Sequence, residues 1–233
     1  MNGFLTWLGR REIAFWIVLV LLSGSLWLFM SVADEVMEGE TLELDKSILL
    51  SLRNPANHED PLGPPWLEQV GQDITALGGN TVLTLLSLWV IVFLLLVQKR
   101  KLALVVLLAT GGALIASLML KSGFDRARPD LVTHGTQVYT SSFPSSHSML
   151  SASAYLTLGA LLAQFQTSRR VKALIMFTSV LLTLLIGISR IYLGVHWPTD
   201  VVAGWTVGAA WALMCWYISR QFVHQKIDSK LRE

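Results

Sequence analysis

The stretch VLTLLSLWVIVFLLLV, residues 82–97, holds no charged residue, and its reading decides the fold. In hydrocarbon the backbone N–H and C=O groups find no water, so such a run is stable as a helix that satisfies them internally. A crossing takes about 20 mostly apolar residues, which the run reaches over 77–97. Five further stretches of similar character lie around it, at 13–33, 102–120, 147–166, 172–192 and 199–219. The expected fold is therefore all-α: one polytopic membrane domain over 1–233 with six transmembrane helices. Composition agrees, since 53% hydrophobic and 15% charged residues exceed what a soluble domain of 233 residues can hide.

Six crossings put both termini on one side of the membrane. Basic residues in short loops stay cytoplasmic. Arg10 and Arg11, then Lys99, Arg100 and Lys101, then Arg169, Arg170 and Lys172, then Arg220, Lys226, Lys230 and Arg232 all fall on the same face. That face reads as the cytoplasm, and Lys46, Arg53, Lys121, Arg126, Arg128 and Arg190 are left outside. The first stretch follows Arg10-Arg11 but is longer than a signal-peptide core, so it reads as an uncleaved anchor. Cys215, the only cysteine, falls within the last helix and excludes a disulfide framework.

One long external loop runs over 34–73 and starts acidic, with Glu35, Glu38, Glu40, Glu43 and Asp45. Residues 42–52 and 66–70 read as short amphipathic helices on the outer leaflet. Pro55, Pro61, Gly63, Pro64 and Pro65 break the chain between them into turns.

External cations run against the positive-inside bias, so a cluster of them calls for an anionic ligand. Lys121 ends the third crossing, His147 opens the fourth, Arg190 ends the fifth and Asp200 opens the sixth; antiparallel helices place these ends side by side. Ser145 and Ser146 suit a helix opening, where free N–H groups and the helix dipole attract phosphate. Pro198 belongs in the first turn of the sixth helix, which sets His196 just outside it and Asp200 inside. A carboxylate there fixes the imidazole tautomer and frees the other ring nitrogen to attack, as in a triad. Asp125, Arg126, Asp130 and His134, in the same loop, read as solvated or locally paired.

Lysine, six residues, then Arg-Pro (Lys121 to Arg128-Pro129); Pro-Ser-x-His (Pro144 to His147); and Ser-Arg, five residues, His, three residues, Asp (Ser189-Arg190 to His196 and Asp200) together resemble the signature of the type 2 phosphatidic acid phosphatase family. The chain departs from the usual pattern at Ser146, where that family has glycine before its histidine. The resemblance implies an integral-membrane lipid phosphatase in which His196 attacks phosphorus and becomes a phosphohistidine, supported by Asp200. It implies that His147 protonates the leaving oxygen. Lys121, Arg128 and Arg190, helped by Ser145, Ser146 and Ser189, would hold the phosphate oxygens, with no metal and no cofactor.

The expected partners are membrane lipid and a phosphorylated lipid substrate, with no nucleic acid and no obligate protein partner. The expected location is a bacterial inner membrane, with the site on its external side. Undecaprenyl diphosphate, phosphatidylglycerol phosphate and phosphatidic acid are the favoured substrates. A lipid phosphotransferase using the same site is the alternative. A channel or transporter fits worse, because the helices carry almost no ionisable residue at mid-depth. Gly204 and Gly208 form a small-xxx-small pair that reads as close packing within the chain.

Overall fold

The computed structural model describes residues 2–130 and 141–230, with side chains described for all of these except 2–11, 14 and 222–230. His134 lies outside the described residues. Helix α1 spans Asn2–Glu38, α2 Leu42–Ser51, α3 Pro65–Leu77, α4 Asn80–Leu96, α5 Arg100–Leu107, α6 Ala113–Gly123, α7 Ser146–Gln164, α8 Arg169–Tyr192 and α9 Pro198–Lys230. A π-helical turn, Leu108–Gly112, joins α5 to α6.

Among the described residues, four helical segments are long and apolar enough to cross a membrane: Phe15–Glu38, Arg100–Gly123, Arg169–Tyr192 and Pro198–Gln221. The α3–α4 pair makes a fifth only if counted as one span bent by 45°. The fourth expected crossing, 147–166, corresponds to α7, which has the length but not the apolar content, because serines and small residues fill it.

Position in the bundle explains that composition. Helix α7 packs against α8 and α9, and Ser148, Met149, Leu150, Ser151, Ala152, Ser153 and Ala154 are all buried in consecutive positions. It faces protein rather than lipid, so close approach matters more than apolar bulk. Gly204 and Gly208 of α9 form the other side of the seam. A Cβ at Gly204 would fall 2.6 Å from the Ser145 carbonyl oxygen, and one at Gly208 would collide with that of Met149. The pair therefore serves packing within the chain.

Two breaks in regularity have local causes. The continuous helix expected over 77–97 is interrupted at Gly78 and Gly79, where a Cβ on Gly78 would strike Ile186 and Gly79 is extended. The π turn widens the helix and leaves carbonyls without regular partners. Trp211 Nε1 donates to Leu108 O at 3.0 Å and Ser153 Oγ to Ala109 O at 2.7 Å, so α9 and α7 complete the turn.

The segment expected as an external loop departs from an all-helical reading. Between α2 and α3 the chain forms a two-stranded antiparallel hairpin, β1 Arg53–Asn54 with β2 Asn57–Pro61, where turns alone were expected. Arg53 is 1% exposed and donates to Tyr192 O at 2.8 Å, pinning the hairpin to the end of α8. Tyr192 Oη returns a bond to Leu62 O at 2.9 Å. Helix α2 is likewise held down: Asp45 and Leu49 are buried, and Asp45 docks on the start of α9.

Candidate active site

Four helix ends and one extended segment converge. Lys121 lies in the last turn of α6, Ser146 and His147 open α7, Arg190 ends α8, His196 sits in the following turn and Asp200 in the first turn of α9. Arg128 comes from the extended chain after α6. Asp200 Oδ2 accepts the Trp197 backbone N–H at 2.9 Å, a capping arrangement that fixes the carboxylate. Ser145 N–H donates to Asp200 O at 3.0 Å and joins the starts of α7 and α9.

His196 is 2% exposed and Asp200 is fully buried. The imidazole Nδ1 lies 3.3 Å from Asp200 Oδ2, and Nε2 lies 3.2 Å from Arg128 Nη1. With the Nδ1 proton donated to Asp200, the lone pair on Nε2 faces the cations. Burial pushes the His196 pKa down to about 3, with Arg190 and Arg128 adding to the effect against the pull of Asp200. The ring is therefore neutral, as a nucleophile must be.

The cations form one electrostatic unit. Lys121 feels the charges of Arg128 and Arg190, and His147 those of Arg190, Arg128 and Lys121. Lys121 Nζ donates to the Ser141 carbonyl, and Arg190 Nη1 to Thr75 Oγ1 of α3 at 3.1 Å. The buried Nε of Arg190 has no hydrogen-bond partner, a donor suited to an anion. His147 stands beside the α3–α4 break, since a Cβ on Gly79 would lie 3.9 Å from its Nε2. The break and the general-acid candidate thus share one location.

The three serines sit differently. Ser145 is buried and its Oγ accepts from Ser148 N–H and from Ser148 Oγ, at 3.5 and 3.1 Å, as a helix cap. Ser146 is helical, so the substitution for glycine needs no positive φ; its Oγ lies 2.8 Å from that of Ser117. Ser189 Oγ donates back to Ile186 O at 2.7 Å inside its own helix. Ser145 and Ser189 thus have their hydroxyls engaged within helices.

Three participants went unread in the sequence. Ser142 Oγ donates to Asp200 Oδ2 and lies 3.3 Å from His196 Nδ1. Arg126, expected among solvated or locally paired residues, has a side chain only 12% exposed that bonds both Asp200 and Asp45. Asp45 is fully buried. A signal existed for it: Thr41, Asp45 and Leu49, spaced by four, form the buried stripe of α2.

The family profile described as the PAP2 superfamily matches residues 100–223, more than half of the chain and all three motifs. Phosphatidylglycerophosphatase B of Bacillus subtilis is 33% identical over 147 residues, 62% of this chain and 71% of that protein. Undecaprenyl-diphosphatase of Sulfolobus acidocaldarius is 30% identical over 91 residues, covering 39% and 40% of the two chains. Among solved structures, the transmembrane PAP2-type phosphatidylglycerolphosphate phosphatase from Bacillus subtilis superposes with a TM-score of 0.77 at 25% identity, covering 86% of this chain and 96% of that one. Aquifex aeolicus LpxE gives 0.52 at 25% identity, over 75% and 93%. The profile spans more than half of the chain and the helix arrangement agrees with it, so the chain belongs to the PAP2 superfamily.

Proposed function

We propose that this lipid phosphatase removes the terminal phosphate of a lipid phosphomonoester or diphosphate at the external face of a bacterial inner membrane, through a phosphohistidine. The observation that carries the reading is the buried His196–Asp200 pair facing Arg128, with Lys121 and Arg190 within electrostatic reach. His196 Nε2 attacks phosphorus and the bond to the lipid oxygen breaks. With the anionic phosphate bound among the cations, His147 takes up a proton and gives it to that oxygen, so the lipid leaves as an alcohol, or as a monophosphate when the substrate is a diphosphate. Water then attacks the phosphohistidine, restores neutral His196 and releases inorganic phosphate. Arg128 must swing from Nε2 to a phosphate oxygen for the first step. Lys121, Arg128 and Arg190 stabilise the charge that builds on the non-bridging oxygens, without a metal ion.

External orientation rests on the distribution of basic residues and on six crossings, with the bent α3–α4 pair as the second and α7 as the fourth, which place both termini in the cytoplasm. For substrate, phosphatidylglycerol phosphate has the support of the relative covered over 71% of its length, with undecaprenyl diphosphate next. Phosphatidic acid and lipid A complete the set to be tested. The experiment is phosphate release from each of these four lipids by the purified protein in detergent. Release inhibited by vanadate and unaffected by a chelator is expected. Strict dependence on added magnesium, or transfer to another lipid in place of release, would contradict the reading.

A further inference from the structure

Asp45 belongs to an external helix that none of the three motifs includes, yet its carboxylate is fully buried next to the catalytic pair. Its Oδ1 accepts the Thr199 backbone N–H at 3.0 Å, so α2 supplies a cap to the first turn of α9. Its Oδ2 accepts from Thr199 Oγ1 and from Arg126 Nη2, both at 2.6 Å. Arg126 Nη1 reaches Asp200 Oδ1, also at 2.6 Å. One guanidinium therefore bridges two buried carboxylates, and Thr41 Oγ1, 3.3 Å from Nη2, closes the ring.

We propose that Asp45 and Arg126 are positioning residues for the nucleophile: Arg126 holds Asp200 by Oδ1 so that Oδ2 faces His196, and Asp45 offsets the guanidinium charge. The geometry divides the oxygens of Asp200 cleanly. Oδ1 takes Arg126, while Oδ2 takes Ser142, Trp197 N–H and His196. Arg126 paired with Asp200 alone would cancel the charge that must support His196 as it becomes cationic on phosphorylation. With Asp45 as second partner, the trio keeps one net negative charge. Because these groups lie in a buried, low-dielectric setting, that unit of charge is strongly felt.

The inference rests on His196 as nucleophile, and the experiment separates the two claims. Phosphate release is measured for Asp45→Asn, Arg126→Gln, the double variant, His196→Ala and the exposed control Glu43→Gln, using monodisperse protein checked by thermal unfolding. Asp45→Asn and Arg126→Gln should each lower kcat by about 10- to 100-fold, the scale of a displaced catalytic group. KM should change little, because neither residue touches phosphate. The double variant should be faster than either single one, since it restores a lone negative charge on Asp200; a merely structural role would make it no better than the worse single variant.

Glu43→Gln should behave as wild type. If Asp45→Asn does not fold, Arg126→Gln against the double variant gives the same comparison. Wild-type kcat in folded Asp45→Asn or Arg126→Gln, or a double variant no faster than the faster single one, overturns the inference. Full activity in His196→Ala would instead strike the nucleophile assignment.

Discussion

Helices α4 and α7 have similar length and opposite surroundings. Along α4, Leu85, Leu88, Trp89, Val92, Phe93 and Leu96 are all at least half exposed on the protein surface, as suits a helix facing lipid. Helix α7 buries most of its residues against α8 and α9, is rich in serine and alanine, and begins at the site. The difference teaches that hydropathy reports contact with lipid, whereas the helix that carries chemistry is recognised by small residues and by what caps it. Substitutions should then separate along the same line.

Within α7 the largest effect is expected for His147→Ala at its head. A positioned general acid is worth about 10²- to 10⁴-fold, and kcat on the lipid should fall by that much. With a nitrophenyl phosphate, whose leaving oxygen needs no proton, the loss should shrink markedly; an equal loss on both substrates would remove His147 from the acid role. Next comes Arg190→Lys, expected to cost on the order of 10²-fold, as for one lost preorganised donor. Lysine keeps the charge but not the planar fork that reaches Thr75 and, in the proposed mechanism, also holds a phosphate oxygen. Kinetics within threefold of wild type would contradict a directional role.

Smaller effects test the seam. Gly208→Ala should destabilise the fold by about 1–3 kcal/mol, the usual cost of overpacking, because the new methyl meets Met149 O and Ala152 Cβ. Leu88→Ala on the lipid face of α4 should change stability by less than about 0.5 kcal/mol. Comparable losses at the two positions would erase the distinction between the helices.

A separate effect is on acid stability. Folding holds His196 neutral, with its pKa lowered to about 3, while an unfolded imidazole takes a proton below about 6.5. The unfolded chain thus binds more protons between those values, and stability falls as pH drops from 6.5 towards 3. Thermal unfolding of His196→Gln at pH 7 and 5 should show a smaller decline than wild type. An identical decline would mean that His196 is not held neutral.

Much of this architecture was legible in the chain, for definite reasons. Helix ends put Lys121, His147, Arg190 and Asp200 side by side, because antiparallel helices align their ends, and motif spacing added Arg128 and His196. Hydropathy found the lipid-facing spans, but it could not find the break at Gly78–Gly79, which depends on Ile186 more than 100 residues away. Arg126 and Asp45 were hidden for the same reason. Each looks like surface charge in its own segment and becomes buried only when α2 docks on the start of α9. The hairpin is tertiary too, held by Arg53 on the Tyr192 carbonyl.

The central claim is that His196 carries the phosphoryl group. Rapid quenching of the wild-type protein with lipid labelled in its terminal phosphate should trap acid-labile, base-stable label on the protein, absent from His196→Ala, which should release no phosphate. Label retained in His196→Ala, or turnover by that variant at a rate near wild type, would contradict the account.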